Sequence, residues 1–598
     1  MEERKLFYTS QSNKFADLLR SARKRINLLG LLRLLIFIAA IGISIFLTRY
    51  SALAVVAALL AAASLFLYMV RLYVKASWEK DYWFNLMTIN ENELKGLDGD
   101  YSSFNTGNEF TDPDHDFSFD IDLFGKNSLF QFLDRTCSEA GREMLAGWLK
   151  DPYTLSGDYK VRSESVREMA ERVEWRQQFI AKGIMNQTTY QERRRLEEWL
   201  NEEPMFRNWL AVRVITIVFP AISIIFLVLA ITGVTAYSAF IFSFLVNLLV
   251  LSFRLKKINR IHSLVSRQYR SLNTVKGLIE HYKGAEFRSE YLCNLRERLS
   301  SGRIPPLDSI GRLASIIKEF DFRLNMVTGV LLNGVLLWDF HSVLNLEKWK
   351  RDVKELIPGW FNDLAVIDAL VSLSNYAYNN PGYTYPVLTP TGQFLSCDGL
   401  GHPLIMEKDR VVNSFRIENR GVINIITGAN MAGKSTFLRT VAINMVLAMT
   451  GAPVCAREYR FRPVKIFSSM RTSDSLSEKE SYFYAELKRL KRLKEKTENT
   501  EPLFFILDEI LKGTNSQDKS EGSKMFIEKL LRARATGIIA THDVSLGALE
   551  HEYPQSIKNS CFEIVIEDDS ISFDYILRDG ITTRMNAAIL MRQQGIID

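Results

Sequence analysis

The chain has 598 residues, more than one compact core can organise, so several domains are expected. A net charge of +6 is too small to mark a nucleic-acid binder by itself, and five scattered cysteines offer neither a zinc motif nor a disulfide framework. The apolar content, 47%, is ordinary in amount but gathered into two tracts.

Residues 1–26 read as a polar, basic, amphipathic lead-in. The first apolar tract follows, Leu28 to Val70, broken only by Arg33 and Arg49. The second runs from Val214 to Phe253 without a charged residue. Each is long enough for two helices of about 20 residues, the length that crosses a bilayer. Each also has a turn near its middle, Thr48-Arg49-Tyr50-Ser51 and Thr232-Gly233. Two membrane hairpins are therefore predicted, at 27–73 and 211–254, making four spans; Arg33 can snorkel to the interface. Arg20, Arg23, Lys24, Arg25, Arg71 and Lys75 flank the first hairpin, and Arg207, Arg213, Arg254, Lys256 and Lys257 the second. Positive flanks face the cytoplasm, so all soluble segments are predicted on that side. A third apolar run, Met326 to Trp338, has 13 residues, too few to cross, and is predicted to be a buried helix.

Between the hairpins, 74–210 reads as helical, with an acidic loop holding Asp112, Asp114, Asp116, Asp120 and Asp122. Residues 255–392 are again helical, and a Pro/Gly/Tyr-rich stretch at 379–392 marks a boundary. From 393 to 598, apolar runs of strand length alternate with helical patterns, the rhythm of an α/β nucleotide-binding domain.

That last region carries the chemistry. The strand-like run 422–427 leads into Gly428-Ala429-Asn430-Met431-Ala432-Gly433-Lys434-Ser435, a P-loop, with a helix predicted from about Gly433. In such a loop Gly428 and Gly433 let backbone N–H groups turn toward phosphate oxygens, and the helix presents its positive end to the same anion. Lys434 reaches the β- and γ-phosphates of ATP, and Ser435 ligates Mg²⁺. Leu503–Leu507 reads as a buried parallel strand ending in Asp508 and Glu509. Asp508 is the expected second Mg²⁺ ligand, and Glu509 the general base that polarises the attacking water. The run 537–540 ends at Thr541-His542, placing His542 to sense the γ-phosphate. A basic run, Lys488 to Lys496, is expected to be the solvated face of a helix that buries Leu487, Leu490 and Leu493, with phosphate or lipid headgroup contact as the competing reading.

These motifs closely resemble those of the MutS family of DNA mismatch-repair ATPases. The likeness is carried by Asn430-Met431 ahead of Gly433-Lys434-Ser435-Thr436, by Gly401-His402-Pro403, and by Asp508-Glu509-Ile510-Leu511-Lys512-Gly513-Thr514-Asn515 and Thr541-His542. It extends upstream to Ser128–Thr136, Trp148–Pro152 and Trp360–Leu370. The resemblance implies a multidomain fold, an α-helical core and lever followed by an ABC-type α/β P-loop domain. It assigns nucleotide contacts to Gly428, Asn430, Gly433, Lys434, Ser435 and Thr436, and to Asn413 on the adenine side. It makes Ser481, in Ser481–Glu486, the signature residue that completes the site of a partner subunit, so a homodimer is implied, and it makes Asp474 a coupling residue. DNA is the ligand implied by resemblance. Three departures stand against full transfer: membrane tracts replace the mismatch-reading domain, the second hairpin interrupts the lever, and little C-terminal dimerisation segment follows. The expectation is a membrane-anchored MutS-like ATPase. The alternatives are an ATP-driven transporter and a nucleotide-switched membrane scaffold without DNA.

Overall fold

The computed structural model describes residues 1–185, 190–206, 209–301, 304–389, 393–471, 482–498, 501–512, 515–567 and 570–582. Asp474 and Ser481 lie outside these.

The first hairpin is two unbroken helices, α1 (Glu2–Leu47) and α2 (Ala52–Leu97), packed along each other. At 1.5 Å per residue each is about 69 Å long, roughly twice the hydrocarbon thickness of a bilayer. Composition divides each helix in two. Leu34, Phe37, Ile41, Leu53, Leu60 and Leu67 leave the distal half apolar and exposed. Tyr8, Phe15, Leu19, Tyr82 and Leu86 bury the proximal half against the rest of the protein. The basic lead-in is thus the lower part of α1. Arg33 lies over the Tyr73 ring, 4.0 Å from its centroid.

The second hairpin is α3 (Trp209–Ile231) and α4 (Tyr237–Ser252), continued after a bend by α5 (Leu255–Lys283). Helices α6 (Pro306–Phe320), α7 (Met326–Leu336), α8 (Trp338–Val353) and α9 (Ile357–Asn379) follow, and shorter helices between 129 and 201 and at Glu290–Ser301 fill out the helical region. Among the described residues three helices, α1, α2 and α3, are individually long and apolar enough to cross a membrane, or up to five spans if two bent pairs each count once. The fourth predicted span, α4, has 16 residues and reaches spanning length only together with α5, across a bend of 65°.

The expectation of a buried helix at Met326–Trp338 is not met. Helix α7 buries Gly329, Asn333 and Gly334, half-buries Leu332, Val335 and Leu336, and leaves Met326, Val327, Val330 and Leu331 exposed. It packs on α3 and α4, so the second apolar cluster has three helices. The reason is visible in the contacts. Asn247 of α4 donates to Ser223 Oγ of α3 (2.9 Å) and to the Gly334 carbonyl of α7 (2.8 Å), a polar clasp among apolar helices. Gly334 is required there because a Cβ would stand 2.1 Å from the Phe244 ring. Gly334→Leu is expected to separate α7 from the hairpin at about 1–3 kcal/mol; a thermal melt in detergent unchanged by the substitution would contradict this packing.

The C-terminal region begins as α9 ends. A small four-stranded sheet has the order β1-β5-β2-β3, from β1 (Val387–Leu388), β2 (Leu395–Leu400), β3 (Asn413–Ile417) and β5 (Glu458–Phe461). A six-stranded sheet has the order β10-β9-β4-β8-β7-β6. It comprises β4 (Ile423–Gly428), β6 (Lys465–Ser469), β7 (Leu503–Asp508), β8 (Thr536–Thr541), β9 (Ile557–Glu567) and β10 (Ser570–Asp579). All its pairings are parallel except that of β10 with β9. Strands β4, β7 and β8 are buried over nearly their whole length, as parallel strands covered on both faces must be. Helices α10 (Lys434–Thr450), α11 (Tyr482–Thr497) and α12 (Ser516–Arg532) accompany the sheet.

Candidate nucleotide site

Adjacent parallel strands deliver three groups to one edge of the sheet. Strand β4 runs into the P-loop, β7 ends in Asp508 with Glu509 next, and β8 ends at Thr541 with His542 next. They meet in a cavity of about 520 Å³, lined by Ala429, Asn430, Lys434, Ser435, Thr436, Asp508, Glu509 and His542. Ligand clefts at the C-terminal edge of parallel strands are the rule in α/β sheets.

Local backbone explains the loop. Gly433 takes φ 102° as the residue that starts α10, and Met431 takes φ 67°. The left-handed residues fold the chain so that the helix N-terminus faces the cavity. Lys434 is buried and donates to the carbonyls of Gly428 (2.6 Å) and Ala429 (2.8 Å). Burial pushes its ammonium down to about 8, against the pull of Asp508 and Glu509. Ser435 Oγ donates to Asp508 Oδ2 at 2.6 Å. A hydroxyl and a carboxylate oxygen so placed are the hard donor pair that Mg²⁺ takes alongside phosphates and water. The two residues therefore suit the metal that the P-loop implies.

Glu509 has φ 62°, and its N–H donates to the Ala540 carbonyl at 2.8 Å, which ties the carboxylate to the neighbouring strand. Its Oε1 accepts from Lys519 Nζ at 2.6 Å. Burial works to raise the carboxyl, but the hydrogen bond and charge of Lys519 hold it below its usual range. Lys519, on α12, was not singled out from sequence; its place one turn into the helix after Asn515 was the available signal. Because Lys519 keeps Glu509 ionised, Lys519→Met is expected to move the acid limb of the ATPase pH profile to higher pH. An unmoved limb would separate Glu509 from the chemistry. His542 lies 3.4 Å from Lys434 Nζ. Burial, reinforced by that ammonium, lowers the imidazole pKa, so His542 is neutral at neutral pH.

Asn413 lines the same cavity, but its amide is engaged: Nδ2 donates to the Tyr575 carbonyl (3.0 Å) and Oδ1 accepts from Leu577 N (2.7 Å). It thereby holds Tyr575, at a bulge in β10 with φ 55°, against the P-loop. Tyr575 and Phe562, from the terminal hairpin, also line the cavity, and no motif marked them.

The basic helix α11 departs from its expectation. Leu490 and Leu493 are buried, whereas Leu487 is exposed. Three of its cations are not simply solvated, while Lys491 and Lys494 pair locally with Glu495 and Glu498. Arg492 and Lys496 each reach Asp116 at 2.7 Å, and Arg489 donates to the carbonyls of His115, Asp116 and Ser468. Asp120 accepts from Ser468 Oγ (2.6 Å) and Arg471 N (2.9 Å), and Asp122 pairs with Arg471 and Arg439. The acidic loop is thus a strap that fastens the helical region to the nucleotide-binding region. Glu486, also on α11, accepts from the N–H groups of Leu511 (2.6 Å) and Lys512 (3.1 Å), just beyond Glu509.

Residues 424–591 match the family model for MutS domain V. The region is MutS-like. The chain is 31% identical over 251 residues to the DNA mismatch repair protein MutS of Thermotoga maritima, covering 41% of this chain and 30% of that protein. It is 33% identical over 201 residues to the DNA mismatch repair protein MSH4 of Arabidopsis thaliana, covering 33% and 25%. Against the DNA mismatch repair protein MutS 2 of Halobacterium salinarum the identity is 30% over 237 residues, covering 39% and 27%. The chain thus spans about a quarter to a third of the length of these relatives.

Proposed function

We propose that the protein is a membrane-anchored MutS-like ATPase whose nucleotide cycle moves the helical region and, through it, the membrane hairpins. The observation that carries this reading is the convergence of Lys434, Ser435, Asp508, Glu509 and His542 in one cavity at the sheet edge. Lys434 and the α10 N-terminus bind the triphosphate; Asn430, Gly428, Gly433 and Thr436 shape the loop around it. Ser435 and Asp508 would hold Mg²⁺, which would supply positive charge to the phosphates. Glu509 orients the attacking water and accepts its proton, and His542 hydrogen-bonds the γ-phosphate. By analogy with the relatives, a second copy of the chain closes over the site through Ser481, with Asp474 coupling closure to the levers.

The path to the membrane is specific. Tyr8 of α1 donates to Asn379 Oδ1 (2.7 Å), Asn379 donates to Glu93 of α2 (2.7 Å), and Glu93 pairs with Arg135. Asn379 is the last residue of α9, directly before the nucleotide-binding region. The base of the first hairpin therefore grips the joint through which that region must move. The hairpins anchor the chain with its soluble parts cytoplasmic, as the positive flanks require.

The relatives are named for DNA mismatch repair, which makes DNA the first ligand to test. ATP hydrolysis by the detergent-purified chain is expected to rise with one or more of duplex, mismatched or branched DNA. No stimulation by any form, with no gel shift, would remove DNA from the proposal and leave the ATPase.

A further inference from the structure

Helix α7 offers an apolar surface that neither the nucleotide chemistry nor the two hairpins accounts for. Phe322, Leu324, Met326, Val327, Val330 and Leu331 are between 42% and 84% exposed. The run from Leu324 to Trp338 contains no charged residue. A patch of this kind on water-facing surface marks an interaction site. On its opposite side Gly334 lies against Phe244 and Asn247 of α4, and the helix packs on α3 and α4, so the patch continues the exposed apolar surface of the second hairpin.

The segment does not cross. Its 11 helical residues span about 16 Å, roughly half the hydrocarbon thickness. Its two ends are tied together: Trp338 Nε1 donates to the Glu319 carbonyl (2.8 Å), and Arg323 Nε lies 3.2 Å from Asp339 Oδ2. Entry and exit are therefore on the same side, with Phe322 and Trp338 in ring contact between them. Aromatic side chains at such a place suit the interface between headgroups and water. The turn at the tip satisfies its own backbone. Asn325 Oδ1 accepts from Thr328 N (3.1 Å), and its carbonyl accepts from Gly329 N (2.7 Å), as a chain in hydrocarbon must arrange.

We propose that Phe322–Leu336 is a re-entrant element that dips into the same bilayer face from which the second hairpin inserts, with lipid acyl chains covering its exposed side. This rests on the membrane reading above. It also gives α6 and α8, which frame the element, a direct connection to the bilayer.

The test places an environment-sensitive fluorophore on cysteines introduced singly by Val327→Cys, Ile225→Cys in α3 and Glu355→Cys on the soluble surface. The full chain is reconstituted in phosphatidylcholine–phosphatidylglycerol vesicles, and labelling of the parent chain is subtracted. Quenching by spin-labelled lipid and by aqueous iodide is read at each site. The expected result is that 327 and 225 are quenched by lipid and several-fold less by iodide than 355. Lipid quenching at 225 with iodide quenching at 327 would overturn the re-entrant element while leaving the hairpin. Protection of 327 from both quenchers would put protein, such as a second copy, over the patch and also overturn it. Iodide quenching at 225 and 327 alike would remove the membrane reading and this inference with it.

Discussion

Glu509→Gln is expected to slow ATP turnover by about a hundredfold or more, the scale of a lost general base, while ATP binding persists. The substitution keeps size and shape but removes the proton acceptor. Binding should survive because Lys434, the P-loop backbone and the Ser435–Asp508 pair are untouched. The structure adds a reason to expect a clean effect. Glu509 is held from two sides, by its own N–H on Ala540 and by Lys519 on its carboxylate, so the side chain is already poised at the cavity wall. A variant that binds ATP without releasing it should also accumulate as a closed homodimer. Single-turnover hydrolysis, nucleotide retention and light scattering measure the three consequences. Hydrolysis close to that of the parent chain would remove Glu509 from the role of base.

The second large effect is structural. Glu93→Ala is expected to cost about 3–5 kcal/mol, the scale of breaking a buried ion pair from one side. The side chains of Arg135 and Glu93 are 7% and 3% exposed, so the cation left behind has little water to turn to. Arg135 also lies over the Phe104 ring and donates to the carbonyls of Phe132 and Asp134, which fixes it in place. Glu93 is in addition the acceptor for Asn379, so the same change loosens the hairpin from the joint below the nucleotide-binding region. Denaturation in detergent reads the stability, and ATPase activity at a temperature where the variant stays folded reads the coupling. Replacing both members, Glu93→Leu with Arg135→Met, should recover much of the stability but not the link to Asn379. A Glu93→Ala melt equal to that of the parent would show that the pair is not a buried support.

Local signals were strong where local chemistry demands them. A P-loop needs glycines at fixed places, and carboxylates must follow a buried strand, so Gly428 to Ser435 and Asp508-Glu509 could be picked out with their neighbours. The apolar length of the hairpins was equally plain. Long-range partners were not. Nothing near Asp116 or Asp120 announces that their counter-charges lie on α11, more than 350 residues later. Arg489, Arg492 and Lys496 looked like part of a solvated surface because their acids are far away in the chain. Lys519 and Tyr575 were missed for the same reason: each belongs to the site by folding, through a hydrogen bond or a bulge, and not by motif.

The helix at Met326–Leu336 shows the limit most clearly. Its 13-residue apolar run was too short to cross, and burial was the ordinary alternative. Yet burial depends on what stands opposite, and here Gly334 and Asn247 bring one face to the hairpin and leave the other uncovered.

By itself, then, the sequence determined the nucleotide-binding loop, the strand-length runs that end at its cavity and the apolar tracts, because backbone geometry and hydrophobicity act over a few residues. Only the tertiary structure decided which charges neutralise one another, which carboxylate Lys519 holds, how the first hairpin reaches Asn379 and which apolar faces stay open. Those outcomes depend on distances between segments far apart in the chain, which no short pattern records.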